Sequence, residues 1–396
     1  MFNSDYGTLL NVKIVLATPL FPPEIGGPAT YVKELAERLR DTHAITIVAY
    51  ASTAEKVPGT RLITISKRRL LPLRLLKFTY ELFKAASDAD VLYVQNAVAA
   101  GLPAIFVKML TGKPVVVKFV GDEAWERATQ LRFTTKQLEA FLAAPEGPLK
   151  IRLIMALQGF VLRHANIVTT PSAYLTETVI RAYGVRKERT VVNYNAADKT
   201  EVLPFTAQPV SHQIVTTARL VEWKGIDGII RAVARLVKEF PDVRLLIAGD
   251  GPEEKHLKEL TAELGVQDRI SFLGRVSRAE TWHIRKTSQV YVLNSTYEGL
   301  PHTALTSFAA EIPMIATNIP GTNEAVYDGV SGLLVPHGDD AALAQALKRL
   351  LTDPALRERV VAGGKKILAE KFSWHAHLAT LLSTLESVRA HPRHEA

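Results

Sequence analysis

The sequence contains no cysteine, and this absence excludes several kinds of chemistry. Disulfide bonds, thiolate zinc sites, iron–sulfur clusters and a cysteine nucleophile all require that residue. No stretch reaches the ~18–20 consecutive apolar residues of a membrane-spanning helix, because the run over residues 12–20 is followed by Pro22 and Pro23. Residues 1–10 carry no lysine, arginine or long apolar stretch, so they lack the features of a secretory signal. We therefore expect a cytoplasmic protein.

An acidic excess and nucleic-acid motifs are also missing. The 396 residues include 48 Lys and Arg against 40 Asp and Glu, and the net charge of +8 favours anionic partners such as phosphates or an acidic membrane surface. No RNA-binding aromatic pattern or zinc-finger spacing occurs, and the longest basic run is residues 67–69. We predict no nucleic-acid partner.

The pattern that is present is an alternation of short β-branched runs with amphipathic helical stretches. This alternation is typical of βαβ units around parallel sheets, and it predicts an α/β protein with two doubly wound domains. The stretch 198–213 contains Pro204 and Pro209 without helical periodicity, which indicates a linker. The predicted domains are residues 1–209 and 210–373, and a final helix, 374–396, is expected to pack back on the first domain.

The first predicted strand ends in a turn that contains Gly26, Gly27 and Pro28, followed by an amphipathic helix. The exposed N–H groups of such a turn favour an anion such as a diphosphate, although a plain strand-to-helix connection has the same pattern. The dinucleotide fingerprint Gly-x-Gly-x-x-Gly is absent. A dehydrogenase is therefore disfavoured.

Two cations, Arg219 and Lys224, follow the first predicted strand of the second half. They stand at the carboxyl end of that strand, which is where doubly wound folds bind ligands. Arginine can bind phosphate through two parallel hydrogen bonds, and lysine acts as a compact point charge. The pair is a candidate phosphate clamp; the alternative is two solvated surface cations.

Glu298 lies between a predicted strand, 290–294, and a helix that starts near Pro301. A carboxylate in this position can act on a ligand whose phosphates occupy the helix N-terminus, and His302 and Thr306 share one face of that helix. The alternative is that Glu298 caps the helix.

The order and spacing of these segments resemble glycosyltransferase family 4, whose members transfer a sugar from a nucleotide diphosphate with retention of configuration. The resemblance implies the GT-B fold, in which two Rossmann-like, doubly wound domains face each other across a cleft. The residues that carry the resemblance are Tyr297–Pro301, Ala309–Ala310, Pro313, Ala316–Thr317, Pro320–Gly321, Glu324 and Gly329–Val335, together with Arg219–Gly225, Gly249–Pro252, Phe272–Gly274 and Gly26–Gly27.

The resemblance implies roles in catalysis for several of these residues. Arg219 and Lys224 would hold the donor diphosphate and neutralise charge on the leaving nucleotide, with help from the amides of Gly299 and Leu300. Glu298 would contact the donor sugar near the reacting carbon.

Further residues would bind the donor. Glu324 matches a later acid of the family, which either contacts the donor or is structural. Gly274 and Val276 would offer backbone contacts to the nucleobase, while Gly26 and Gly27 would lie under the diphosphate and the acceptor.

Two positions depart from the family pattern. Thr306 stands eight residues after Glu298, where the family usually has a second glutamate that binds the ribose hydroxyls, so we expect weaker nucleotide binding. Asp122 takes the place of a histidine that contacts the donor sugar in many members. Asp122 is a candidate to bind a sugar hydroxyl, orient the acceptor or accept its proton, and the alternative is an ordinary polar residue of a strand-end loop.

The pair Asp88 and Asp90 has the Asp-x-Asp spacing that binds a metal–nucleotide complex in GT-A transferases. It precedes a predicted strand, 91–95, at the amino end, which is the wrong edge for a doubly wound site. We interpret the pair as a helix-to-strand connection and predict no metal and no cofactor.

These features predict a retaining hexosyltransferase that uses a UDP- or GDP-sugar and a glycan or lipid-linked acceptor. The alternatives are a nucleotide-sugar 2-epimerase of the same fold and a pseudoenzyme that binds nucleotide sugars. Residues 67–78 interleave cations with large apolar residues, which predicts peripheral docking on an anionic membrane. The alternative for this segment is a helix that buries its leucines in the core beneath a basic face.

Overall fold

The computed structural model describes residues 11–24, 27–68, 70–197 and 208–391. Within these ranges the chain forms two compact units, which divide between Asn193 and Tyr194, ahead of the predicted boundary at residue 209. The short segment Pro171–Tyr174 groups with the second unit, and the chain from Thr380 onward groups with the first. Residues 198–207 of the predicted linker lie outside the described residues.

The first unit is built on a parallel sheet with strand order β3-β2-β1-β4-β5-β6-β7. Its strands are β1 (Lys13–Thr18), β2 (Ala44–Tyr50), β3 (Arg61–Ile65), β4 (Val91–Gln95), β5 (Val115–Lys118), β6 (Ile167–Thr170) and β7 (Thr190–Val192). Its helices are α1 (Gly27–Leu39), α2 (Leu71–Ala86), α3 (Gly101–Thr111), α4 (Glu123–Gln130), α5 (Leu138–Ala143), α6 (Leu149–His164) and α7 (Ala173–Tyr183).

The central strands of this sheet are buried along their whole length. All five residues of β4 and all four of β5 are buried, including Gln95 and Lys118 at their carboxyl ends. Parallel strands covered by helices on both faces are expected to be continuously apolar, so these two polar ends stand out. They lie at the edge of the sheet where doubly wound folds bind ligands.

The second unit has a parallel sheet with strand order β10-β9-β8-β11-β12-β13. Its strands are β8 (Gln213–Thr217), β9 (Arg244–Ala248), β10 (Ile270–Gly274), β11 (Val290–Leu293), β12 (Met314–Thr317) and β13 (Leu333–Val335). Its helices are α8 (Ile226–Leu236), α9 (Glu254–Glu263), α10 (Arg278–Lys286), α11 (His302–Ala310), α12 (Asp340–Thr352) and α13 (Pro354–Lys371), and the final helix α14 (Trp374–Ala390) starts in this unit.

Two apolar clusters cover the two faces of the second sheet. Ile214 and Val292 pack in one cluster, whereas their neighbours Val215 and Tyr291 pack in the other. Successive side chains of a strand point to opposite faces, so this alternation places the sheet between two helical layers. The predicted doubly wound α/β architecture is confirmed for each unit.

The strand order reverses at one point in each sheet. In the first unit β1 lies between β2 and β4, and in the second unit β8 lies between β9 and β11. Loops that leave the carboxyl ends of the two strands at such a point run apart and leave a crevice for ligands. In the second unit these are the loops that follow β8 and β11.

Candidate functional site

Two hydrogen bonds join the loops that follow β8 and β11. Thr296 N donates to Trp223 O at 2.8 Å, and Asn294 Nδ2 donates to Gly225 O at 2.8 Å. Gly225 has φ +59°, and a Cβ there would lie 2.2 Å from Asn294 O. Only glycine allows this approach, so Gly225 determines how closely the two loops pack.

Lys224 and Glu298 meet across these loops. The Lys224 Nζ lies 2.6 Å from Glu298 Oε1, and Ser295 Oγ donates to the same oxygen at 2.6 Å. The side chains are 21% and 12% exposed, so the pair is largely shielded from water. Glu298 does not cap α11, because Pro301 occupies the N-cap position of that helix.

Arg219 is exposed and lies two residues beyond the end of β8. Within the described ranges, its guanidinium forms no hydrogen bond or ion pair with a protein group. Lys224, by contrast, already shares a carboxylate but keeps further donors, because an ammonium has three. Both cations therefore have hydrogen-bonding capacity for an anion at the carboxyl end of β8.

The segment between Glu298 and α11 offers its backbone rather than its side chains. Gly299 is buried, and the Leu300 side chain packs in the apolar cluster with Ala304 and Phe308. A Cβ on Gly321 would lie 2.2 Å from Glu298 O, so this glycine packs directly against the segment. Pro301, at the N-cap position of α11, provides no side-chain cap, and the Ala304 amide donates to Pro301 O at 3.0 Å.

Thr306 is held by a buried arginine. Arg285, on α10, is 4% exposed and donates to Thr306 Oγ1 and, at 2.6 Å, to Thr217 Oγ1. Its guanidinium also lies 4.9 Å from the centre of the Tyr291 ring. Burial lowers the pKa of Arg285, although a guanidinium stays protonated in proteins.

Glu324 is engaged by backbone amides. Ala173 N and Tyr174 N each donate to its carboxylate at 2.8 Å, and the Tyr194 hydroxyl donates at 3.2 Å. These contacts favour the structural alternative for Glu324 over donor binding.

The remaining predicted donor contacts lie at separate places. Gly274 is the last residue of β10 and has φ +63°, and its carbonyl accepts from Gly249 N at 2.8 Å. Val276 lies two residues further along the chain and is half-buried. Gly27 is the first residue of α1 and has no positive φ. Gly26 lies outside the described residues, so its predicted contact with a diphosphate stays a prediction.

The placement of Asp122 differs from the predicted substrate contact. Asp122 is 0% exposed, and its Oδ1 accepts from Trp125 N at 2.9 Å as the N-cap of α4. Its Oδ2 accepts from Gln158 Nε2 at 2.7 Å and from the Tyr183 hydroxyl. Burial raises the pKa of Asp122, and these hydrogen bonds oppose the rise. The structure therefore gives Asp122 a capping role, because donors from three helices surround it.

Asp88 and Asp90 connect α2 to β4, as predicted. Asp88 Oδ1 accepts from Lys13 Nζ at 2.5 Å, and Asp90 Oδ2 accepts from Lys13 N at 2.9 Å. Both contacts are at the amino end of β1, away from the edge that binds ligands. The absence of a metal requirement stays a prediction.

Two buried cations were not among the predicted site residues. Arg285 is one, and Lys118 at the end of β5 is the other; the Lys118 Nζ lies 3.6 Å from the centre of the Tyr31 ring. The signal for Lys118 was present in the sequence, since a lysine at the end of a run of valines is unusual in a buried strand.

Burial lowers the pKa of Lys118 to about 7 from its ordinary value of 10.5. Between these values the unfolded chain holds a proton that the folded chain lacks, so the free energy of unfolding should rise with pH by up to about 1.4 kcal/mol per unit. Below about pH 7 both states are protonated, and this contribution is constant.

Lys118→Met is expected to remove that rise. The measurement is urea unfolding at pH 7, 8 and 9, with Lys150→Met, at an exposed position of α6, as the control. If the free energy of unfolding changed with pH equally in the wild type and in Lys118→Met, the lowered pKa of Lys118 would be contradicted.

Two protein-family models match the chain. The model described as "Glycosyl transferase 4-like domain" matches residues 26–196, and "Glycosyl transferases group 1" matches residues 206–367. Together they span most of the sequence. The chain belongs to the family 4 type of GT-B glycosyltransferases, and the resemblance found in the sequence is confirmed.

Curated relatives carry related names. The lipopolysaccharide core biosynthesis glycosyltransferase LpsD of Rhizobium meliloti is 39% identical over 160 residues, which are 40% of this chain and 45% of LpsD. The lipopolysaccharide core biosynthesis glycosyltransferase LpsE of the same organism is 30% identical over 231 residues, which are 57% of this chain and 65% of LpsE. A GDP-mannose-dependent alpha-(1-6)-phosphatidylinositol monomannoside mannosyltransferase of Mycolicibacterium smegmatis is 24% identical, over 95% of this chain and all of its own. The chain spans about half the length of the curated relatives it matches first.

Solved structures share the fold. Anabaena Alr3699/HepE, crystallised with UDP, has a TM-score of 0.76 and 19% identity over 95% of this chain and 100% of its own. Sucrose-phosphate synthase of Thermosynechococcus elongatus has a TM-score of 0.77 and 19% identity over 96% of this chain and 99% of its own. At this identity the likeness establishes the GT-B fold.

Proposed function

We propose that this protein transfers a hexose from a nucleoside diphosphate sugar to a glycan or lipid-linked acceptor, with retention of configuration and without a metal ion. The observation that carries the proposal is the Lys224–Glu298 pair at the carboxyl ends of β8 and β11, beside the uncapped N-terminus of α11. The names of the relatives, and the UDP complex of a protein with a similar fold, support a nucleotide-sugar donor. Retention and independence of metal rest on the family resemblance.

In this proposal the cations stabilise the leaving group. Negative charge grows on the diphosphate as the bond to the sugar breaks, and preorganised donors aimed at that charge lower the barrier. Lys224 would keep one hydrogen bond to Glu298 and donate others to the diphosphate, while Arg219 and the amides of Gly299 and Leu300 would add further donors. Glu298 would orient Lys224 and face the sugar.

The test is a panel of UDP-, GDP-, ADP- and dTDP-hexoses incubated with glycan and lipid-linked acceptors and followed by mass spectrometry. The expected result is release of a nucleoside diphosphate together with a glycosylated acceptor. An epimerised sugar, or binding without turnover, would replace the proposal with one of the two alternatives.

The acceptor side of the proposal includes an anionic membrane surface. Among the described residues, no helix is both long and apolar enough to span a bilayer. Instead, three neighbouring helices of the first unit, α2, α3 and α6, expose large apolar side chains. These side chains are Leu71, Leu73, Leu76, Tyr80, Phe83, Phe106, Met109, Leu110, Leu149 and Leu153.

The leucines of α2 contradict the alternative of a buried leucine face. Leu73 and Leu76 are 55% and 68% exposed, and the buried face of α2 is formed by Phe78, Leu82 and the alanines of its last turn. Arg69 of the predicted segment lies outside the described residues. The exposed leucines therefore remain available to insert into a lipid surface.

The charge of these helices complements an anionic bilayer. Their sequences contain one acidic residue, Glu81, and basic residues on each helix, including Lys77, Lys108 and Lys150. Apolar side chains and cations on one set of helices are the combination that binds a surface of anionic lipid reversibly.

Lys77→Glu is expected to weaken binding to vesicles that contain phosphatidylglycerol by about fivefold or more, since each cation near such a surface contributes about 1 kcal/mol. Lys255→Glu is a matched control. Lys77 and Lys255 each pair with a glutamate one turn later, at 3.6 and 3.7 Å, but Lys255 lies on α9 of the second unit. Vesicle flotation measures the effect. Equal flotation of the two variants, or equal binding to phosphatidylcholine alone, would contradict the docking surface.

A further inference from the structure

A buried guanidinium lies at the point where the strand order of the second sheet reverses. Arg285 donates to Thr217, the last residue of β8, and to Thr306, on the helix that follows β11. β8 and β11 are the two strands at the reversal, and ligands of doubly wound folds bind outside their carboxyl ends. The Arg285 cluster, defined as Arg285, Thr217, Thr306 and Tyr291, therefore borders the proposed donor site.

The hydroxyl of Thr306 is almost fully used within this cluster. One of its lone pairs accepts from Arg285, and its proton is directed to the carbonyl oxygens of His302 or Thr303, at 3.2 and 3.1 Å. A hydroxyl has one donor and two acceptor positions. Thr306 can therefore accept one more hydrogen bond and donate none.

The hydroxyl groups of the other members of the Arg285 cluster are also bonded within it, whereas Arg285 Nε is buried without a hydrogen-bond partner among the described residues. Thr217 Oγ1 accepts from Arg285 and lies 3.1 Å from the Tyr291 hydroxyl. In the described part of the chain, Arg285 contacts two hydroxyls and an aromatic face but forms no ion pair with a carboxylate. The cluster thus contains no carboxylate that could accept from both hydroxyls of a ribose.

These hydrogen bonds determine how strongly the site discriminates against a ligand that lacks a hydroxyl. A site rejects an analogue without a hydroxyl strongly only when the loss leaves its own buried polar groups unpaired. Here Thr306 and Arg285 remain bonded to each other whether or not a ribose hydroxyl is present. The absence of the 2′-hydroxyl therefore leaves no additional group of the cluster unpaired, since Arg285 Nε is buried without a partner among the described residues in either case.

We propose that the donor site accepts 2′-deoxyribonucleoside diphosphates as readily as their ribonucleoside counterparts, so that 2′-deoxy donors such as dTDP- and dUDP-sugars belong to its substrate class. The inference rests on the proposed function, in which the nucleoside diphosphate of the donor lies at the carboxyl ends of β8 and β11. It adds the Arg285 cluster as the element that determines this specificity.

Calorimetry with the full chain tests the inference on matched pairs: UDP with dUDP, GDP with dGDP, ADP with dADP and CDP with dCDP. For the base that binds best, the Kd of the 2′-deoxy form should lie within about threefold of the Kd of the ribo form, a difference of about 0.6 kcal/mol. The comparison uses the unaltered protein, so it does not depend on a variant that folds.

Thr306→Glu is expected to create discrimination. A carboxylate beside Arg285 can accept from the guanidinium and from both ribose hydroxyls, and a hydrogen bond to a charged group is stronger than one to a neutral hydroxyl. The ratio of deoxy to ribo Kd should rise by about tenfold or more. Thr306→Ser keeps the hydroxyl and is the matched control, with a ratio equal to that of the wild type.

The outcomes separate this inference from the proposed function. Binding of the ribo form that is more than about tenfold tighter in the wild type would overturn the inference and leave the proposed function in place. A ratio that Thr306→Glu leaves unchanged would remove Thr306 from the ribose site. Failure of every nucleoside diphosphate to bind would contradict the proposed function itself.

Discussion

Replacing Lys224 with methionine is expected to lower the turnover of the donor sugar by at least about 10²-fold, the scale of losing one preorganised donor aimed at developing charge. Lys224 is suited to this role because its ammonium is held at 2.6 Å by Glu298 and does not have to be ordered when the diphosphate arrives. Arg219→Ala should lower turnover by a similar factor, since the exposed guanidinium stands in the same loop.

The controls for these variants come from the same unit. Lys238→Met changes an exposed lysine just beyond the opposite end of α8, and Arg244→Ala changes an exposed arginine at the amino end of β9, the edge of the sheet away from the site. Initial rates and nucleotide affinity should stay at wild-type values in both. Undiminished turnover in Lys224→Met or Arg219→Ala would remove that residue from the proposed chemistry, and thermal unfolding verifies that each variant is folded.

Asp122→Ala is expected to lower the free energy of unfolding by about 3 kcal/mol or more. The change removes the N-cap of α4, which contributes about 1 kcal/mol, and leaves two buried donors, from Gln158 and Tyr183, without an acceptor at about 1–3 kcal/mol each. Urea denaturation measures the loss.

Asp88→Ala is the matched control for this prediction, because Asp88 belongs to the same unit but its side chain is 80% exposed. Its effect on the free energy of unfolding should be much smaller than that of Asp122→Ala. If Asp122→Ala left stability unchanged but abolished turnover, the substrate contact expected from the sequence would be correct and the capping role would be wrong.

The strands were predictable from local sequence for a physical reason. Strands of a parallel sheet are covered on both faces, so they occur as short apolar runs between amphipathic helices. The predicted strand 91–95 agrees with β4 at both ends, and the predicted strand 290–294 is one residue longer than β11. The segment 67–78 shows the limit of this reasoning. Its pattern is compatible with either a buried or an exposed leucine face, and only the packing of α2 in the structure distinguishes the two.

The roles of Asp122 and Arg285 could not be found in this way. The partners of Asp122, Gln158 and Tyr183, lie 36 and 61 residues away on α6 and α7. Arg285 belongs to a helix with a strongly polar sequence, where an arginine is expected to be solvated. Nothing near either residue in the sequence indicates that it is buried.

The sequence by itself determined the class of fold, the family and the loops that carry the candidate site, because each depends on local periodicity and on residues close together in the chain. Only the tertiary structure decided which side chains pair: Lys224 with Glu298 across 74 residues, Arg285 with Thr306 across 21, and Glu324 with the amides of Ala173 and Tyr174 across about 150. Hydrogen bonding and burial depend on distances in space, and parallel sheets with crossover helices bring together strand ends that are far apart in sequence.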